Sequence, residues 1–327
     1  MTGPAARGGA QRPPRRRPSH VAGYLACRVM LPAHSLLPRR AGLLVGRAVG
    51  LLFYLLSPLH RRIALANLRR ALGPGPDERT LRRMARASFA HTGMICLDAA
   101  YFPRLLRRPT ARLAVYEGTE HLLEAARDGR GVLVFSGHFG HWELIALLQH
   151  RVGPPMAMVV RPLENRLVDG LVTRLRSLSG NITIPKQNAA RGVLRALRDG
   201  WAVAMLIDQN VRGSSGVFVD FFGVPASTTP GLATLALKSG APIVPVFSYP
   251  MPDGRLRVRY LPPLRPARRG ALADDIFDVT RACTALLEAE VRRRPDLWLW
   301  MHNRWRTRPP SAPAEPVAEA AVARAKA

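Results

Sequence analysis

His138 and Glu143 stand five positions apart in the segment Ser136-Gly137-His138-Phe139-Gly140-His141-Trp142-Glu143. An imidazole accepts a proton near neutral pH, and a carboxylate on its other nitrogen holds it in the accepting tautomer. On a continuous helix a five-residue step turns about 500°, leaving the two side chains about 140° apart. They converge only if His138 lies in a turn and Glu143 in the first turn of the helix that follows. His138 would then be a general base and Glu143 its partner. The alternative is a structural histidine hydrogen-bonded inside the fold. His141 adds an HxxHxE pattern, but no distant ligand set accompanies it and HExxH is absent. Cys27, Cys96 and Cys283 form no CxxC pair and read as buried thiols in a reducing compartment. No metal and no cofactor are expected. Ser136 is not in a GxSxG elbow, which argues against a serine nucleophile.

The surrounding elements must deliver this segment to a sheet edge. Gly131–Ser136 (GVLVFS) is an apolar run after a glycine, as a strand buried on both faces requires. Further strands are expected at Leu113–Tyr116, Met156–Val160, Val203–Ile207, Ile243–Ser248 and Leu256–Tyr260. Helices are expected at Thr119–Arg127, Trp142–His150, Leu167–Leu178, Ala190–Arg198, Ala233–Lys238 and Ile276–Arg294. Alternation of strand and helix predicts an α/β fold with helices on the faces of a sheet. Asp208 follows a buried strand, where open α/β sheets place site residues; a turn or helix cap is its other reading. Arg161 and Arg176 have the chemistry to grip phosphate in bidentate fashion, or are solvated surface arginines. Phe218, Phe221 and Phe222 are core or an acyl channel. Trp298, Trp300 and Trp305 are core or membrane-interface anchors.

The chain has 327 residues and a formal net charge of +27, from 49 Lys+Arg against 22 Asp+Glu. Arg replaces Lys almost everywhere, as in GC-rich genomes, but composition bias does not create an excess of base over acid. An enzyme without an anionic partner is a poor fit. No Asp or Glu precedes Asp77, while residues 1–76 hold 13 Arg. Residues 1–20 read as a disordered basic arm and 21–108 as a helical membrane-associating region. Ala41–Leu59 is apolar apart from Arg47, with Arg39–Arg40 and Arg61–Arg62 on its flanks. Its uninterrupted part is too short to span, so a helix lying in or dipping into an anionic membrane is preferred over a buried amphipathic helix. Nucleic acid is not expected: aromatics are 6% of the chain and the arm has none to stack on bases. Residues 109–308 form the α/β domain, and 309–327 a flexible tail.

The His138–Glu143 segment resembles the HX4(D/E) motif of glycerolipid acyltransferases, and more closely the bacterial lipid A late acyltransferases, the lauroyl and myristoyl transferases. The likeness extends to Glu117-Gly118 through Gly131, Arg161-Pro162-Leu163-Glu164-Asn165, and the stretch from Asp208 through Phe221-Phe222-Gly223, Thr228 and Pro245. It ends on Pro295, Trp298, Trp300, His302, Arg304-Trp305-Arg306 and Arg308-Pro309. His141 stands where relatives usually carry Asn, and Gln209-Asn210 replace a more acidic pair. The resemblance implies a glycerolipid-acyltransferase-like mixed sheet. It implies transfer of a fatty acyl chain from a thioester, acyl-ACP or acyl-CoA, to a hydroxyl of a lipid A precursor, without a covalent acyl-enzyme. His138 and Glu143 would be catalytic; Arg161, Asn165, Arg176 (with Arg174 the competing match for the family's downstream arginine) and Asp208 would bind substrate. Backbone N–H groups near Gly137–Gly140, or a nearby Arg, would stabilise the oxyanion. The implied location is the cytoplasmic face of a bacterial inner membrane, where positive potential attracts both anionic lipid and an acidic carrier protein. Alternatives are a phosphatidylinositol mannoside or other glycolipid or lysophospholipid acyltransferase using acyl-CoA, and a non-enzymatic basic protein binding membrane or nucleic acid.

Overall fold

The computed structural model describes residues 17–187 and 189–310. Most of the expected basic arm and most of the expected tail lie outside the described residues. The helical region opens with α1 (Pro18–Ser35), so the end of the expected arm, from Pro18 to His20, is helical instead. A proline at the first helical position costs no hydrogen bond and presets the backbone there. Then come α2 (Arg39–Leu56), α3 (Pro58–Leu72), α4 (Glu78–Asp98) and the single turn α5 (Phe102–Leu105). Asp77 caps α4, its side chain accepting from Thr80 N–H at 2.8 Å.

The α/β part runs β1 (Ala114–Glu117), α6 (Thr119–Arg127), β2 (Val132–Ser136), α7 (Trp142–Leu148), β3 (Met156–Val160), α8 (Arg166–Ser177), β4 (Ile182–Pro185), α9 (Ala189–Arg198) and β5 (Ala202–Leu206). It continues with β6 (Val217–Phe221), β7 (Val224–Thr228), α10 (Gly231–Ser239), β8 (Ile243–Pro250), β9 (Leu256–Tyr260) and α11 (Leu272–Arg293). Among the described residues the main sheet has seven strands in the order β1-β9-β8-β2-β5-β3-β4. Its pairs are parallel except β8 with β9, so the sheet is mixed, as the resemblance implied. Three strands have no counterpart in the sequence reading: β4 and the β6–β7 hairpin.

β2 is buried along its whole length, and its period-two alternation serves two cores. Leu133 and Phe135 face a cluster with Phe139, Phe221, Phe247, Trp298, Trp300 and Trp305. Val132 and Val134 face another with Leu144, Val244 and Tyr260. The tryptophans and Phe221 are therefore core. Tyr54, Leu68, Leu81 and Phe89 from α2–α4 join the first cluster, so the helices before residue 109 share the sheet's core.

α2 lies against α4 at backbone distance. Gly42, Gly46 and Gly50 repeat every fourth residue on its buried face. A Cβ on Gly46 would come within 2.7 Å of Met94 Cα, and one on Gly50 would run into the Phe89 carbonyl. The opposite face exposes Leu44, Leu52, Leu55 and Leu56, the last at 72% of its surface. α1 likewise exposes Leu25, Val29 and Met30. Among the described residues no single helix is long and apolar enough to cross a membrane; α2 and α3 meet at a 94° bend. Of the cysteines, Cys283 is buried but Cys96 is exposed and Cys27 intermediate, which corrects the expectation of three buried thiols.

Candidate active site

β2 and β5 are parallel neighbours in a register that sets Ser136 opposite Leu206. Each chain leaves its strand in the same direction, and the second residue past each end is His138 or Asp208. Strand register thus brings together two side chains 70 positions apart. His138 Nδ1 lies 2.8 Å from Asp208 Oδ1, while Asp208 Oδ2 accepts from the His138 backbone N–H at 2.7 Å and from Trp298 Nε1–H at 2.8 Å. Gly137 permits this approach: a Cβ there would meet Leu287 at 2.8 Å and Asp208 Oδ2 at 3.1 Å.

The loop is braced from the far end of the chain. Gly140 N–H donates to Leu297 O at 3.0 Å, and Leu299 N–H to His138 O at 3.1 Å. His141 N–H donates to Ser248 Oγ at 2.8 Å. The N–H groups of His138 and Gly140, two of those in the segment expected to face the oxyanion, and that of the adjoining His141 are therefore engaged within the fold. Trp298 and Gln209 were not assigned site roles from sequence. The exposed Gln209 amide nitrogen lies 3.4 Å from His138 Nε2.

Burial opposes charge on the His138 imidazole, but the Asp208 charge and hydrogen bond outweigh it and hold the pKa above the ordinary 6.5. Burial also pushes Asp208 upward; the contacts with His138 overcome it and hold the carboxyl well below its usual range. With Nδ1–H donating to the carboxylate, Nε2 is the accepting nitrogen, and it faces the Gln209 amide. The carboxylate on the His138 imidazole is thus that of Asp208, where the sequence reading expected Glu143.

Glu143 instead receives the Arg176 guanidinium, with Nε to Oε2 at 2.9 Å and Nη2 to Oε1 at 2.5 Å. Burial raises the Glu143 pKa, but the Arg176 bonds outweigh it and keep the carboxyl below 4.5. Arg176 is thus tied to Glu143, and Asp208 to His138. Asn165 caps α8, accepting from Leu167 N–H at 3.1 Å, and donates Nδ2–H to His20 O at 2.8 Å. Both of its amide ends serve the fold. Arg161 is exposed just beyond β3.

His141 is the side-chain cap of α7. Its Nδ1 accepts from Leu144 N–H at 3.2 Å, and its Nε2 lies 2.9 Å from Asp98 Oδ2. Asp98, at 0% exposure, also accepts Arg39 Nε–H at 2.8 Å and Nη2–H at 2.7 Å. No sequence signal pointed to this cluster, because its members come from α2, α4 and the loop. Among the described residues no group of three or more His, Cys, Asp or Glu is placed to hold a metal ion.

Comparison with known proteins adds an independent finding. A family model described as bacterial lipid A biosynthesis acyltransferase matches residues 12–307. A lipid A biosynthesis lauroyltransferase of Escherichia coli (strain K12) is 31% identical over 244 residues, covering 74% of this chain and 78% of that protein. A lipid A biosynthesis palmitoleoyltransferase of the same strain is 32% identical over 194 residues, covering 59% of this chain and 61% of that protein. A phosphatidylinositol mannoside acyltransferase of Mycolicibacterium smegmatis is 25% identical over 244 residues, covering 73% of this chain and 77% of that protein.

Proposed function

The chain belongs to the bacterial lipid A biosynthesis acyltransferase family and is an acyltransferase, and from that premise we propose that His138 is its general base, oriented by Asp208. The carrying observation is the 2.8 Å contact of His138 Nδ1 with Asp208, which leaves Nε2 as acceptor. A fatty acyl thioester, acyl-ACP in this reading, is the donor, and a hydroxyl of a lipid A precursor is the acceptor.

A hydroxyl is a weak nucleophile at neutral pH. His138 Nε2 takes its proton as the oxygen attacks the thioester carbonyl, and Asp208 stabilises the imidazolium that forms. Collapse of the tetrahedral intermediate expels the thiolate, which takes the proton back from Nε2–H. No bond from acyl group to protein forms. The Gln209 amide is the donor nearest Nε2 and is the candidate to meet the oxyanion. The Glu143–Arg176 pair fixes the first turn of α7 against α8 and keeps a net-neutral wall beside the base.

The exposed apolar faces of α1 and α2 rest on the cytoplasmic side of the inner membrane in this reading, supported by the arginines around them. α1 packs on α8, which carries Arg176, so a lipid acceptor entering from the bilayer meets the site directly. Purified protein incubated with lipid A precursor or mannosylated phosphatidylinositol, and with acyl-ACP or acyl-CoA, tests this by mass spectrometry. One added acyl chain on the lipid A precursor from acyl-ACP, absent in His138→Ala, is expected. Acylation of the mannoside alone would replace the acceptor, and full activity of His138→Ala would remove the base.

A further inference from the structure

We infer that Asp98 is a positioning residue for acyl transfer: it selects the tautomer of His141 and thereby sets the turn that carries His138 and Glu143. The inference rests on the reading of His138 as base.

A neutral imidazole has one donor and one acceptor nitrogen. Leu144 N–H at the start of α7 is shared between His141 O at 3.1 Å and His141 Nδ1 at 3.2 Å. An Nδ1 that takes its share must be bare, which places the proton on Nε2. Asp98 Oδ2, 2.9 Å from Nε2, makes that placement favourable. Asp98 is itself held ionised. Burial raises its pKa, but the bonds from Arg39 and His141 overcome that and keep it well below 3.8. Arg39 reaches it with two parallel N–H groups from the first residue of α2.

The result is a reversed pair. Asp208 takes Nδ1–H of His138 and leaves Nε2 bare for the substrate proton, whereas Asp98 takes Nε2–H of His141 and leaves Nδ1 bare for the helix. His141 lies three residues after His138 and two before Glu143, so a failed cap displaces both neighbours: the loop ahead of it and the first turn of α7 behind it. A carboxylate that only filled space or tied α2 to α4 would need no particular His141 tautomer.

This difference gives a test in the full-length protein. Asn at a helix N-terminus caps through a side-chain carbonyl, which is always an acceptor and has no tautomer to choose. Asp98→Asn alone is expected to lower kcat roughly tenfold, the scale of a lost cap, with the KM for the acyl donor within about twofold. In a His141→Asn background the same Asp98→Asn change is expected to cost less than about threefold, a coupling that independent sites do not show. Should Asp98→Asn fail to fold, imidazole 15N spectra of the native protein still decide. His141 must carry its proton on Nε2 and His138 on Nδ1.

Three results would each overturn the inference: a His141 proton on Nδ1, a folded Asp98→Asn with unchanged kcat, or equal losses in both backgrounds. Undiminished activity of His138→Ala would instead overturn the base assignment, and the His141 spectrum would still report its own tautomer.

Discussion

At the scale of single residues, the Asp208 carboxylate decides both the charge and the direction of His138. As the proposed base, His138 works when neutral, so kcat/KM should rise with pH through an inflection above 6.5, the ordinary histidine value. In Asp208→Asn the raising influence is gone while the burial remains. The inflection should therefore move down and kcat fall by roughly 10²–10⁴-fold, as for loss of an orienting carboxylate; a pH–rate series on both proteins reads the two effects together. Glu143 invites a second measurement. Arg176→Met leaves its carboxylate partly buried without the cation that holds it ionised, so thermal unfolding should show a loss of about 1–3 kcal/mol. The Glu143→Gln/Arg176→Met double variant should recover part of that loss. His138 and Glu143 were legible from residue type, but their partners were not. Nearness in sequence suggested Glu143 for the imidazole, whereas strand adjacency supplied Asp208 from 70 positions away.

Among the elements, a strand was legible where apolar residues run without a break, as in β2, or alternate with polar ones, as in β9. β2, β3 and β5 could be read as apolar runs because parallel strands under helices have no polar face. The hairpin was missed because Val217–Thr228 mixes Asp220, Pro225, Ser227 and Thr228 into short strands, and its turn uses a non-glycine at positive φ. Phe222 sits at φ 58° before Gly223 at 72°, the mirror-type turn that hairpin twist favours. Its N–H is held by Glu288 Oε2 at 2.5 Å. β4 was missed because Ile182–Pro185 has no fully buried residue and ends on a proline, which reads as a strand breaker. The α2–α4 contact was present in the text as glycines at 42, 46 and 50, yet reading the segment for membrane length left their spacing unused. Gly46→Val should separate these helices, lowering stability by roughly 1–3 kcal/mol from overpacking. Because Arg39 opens α2, it should also weaken the hold on Asp98; thermal denaturation and limited proteolysis would report the change.

For the whole molecule, charge and apolar surface act together. In the proposed membrane-bound state, exposed leucines on α2 supply area for a bilayer and the surrounding arginines supply attraction to anionic headgroups. Leu52→Asp with Leu55→Asp should cut flotation with anionic phospholipid vesicles by at least about tenfold, since each buried leucine contributes roughly 1.5–3 kcal/mol. Turnover of a detergent-dispersed acceptor should stay within about twofold. Acid should act on the interior. Asp98, Asp208 and Glu143 have folded pKa values below their ordinary ones, so their stabilisation is present above the ordinary carboxylate values and is lost as pH falls below them. Unfolding monitored by circular dichroism should therefore set in below about pH 4. The brace on the catalytic loop also has a consequence in time. Trp298 follows Asp208 by ninety residues, and synthesis proceeds at about 5–20 residues per second. On the proposed membrane reading, a growing chain presents α1 and α2 to the bilayer long before the ribosome delivers the indole that completes the His138–Asp208 pair. Such an enzyme reaches its place of work before it is able to work.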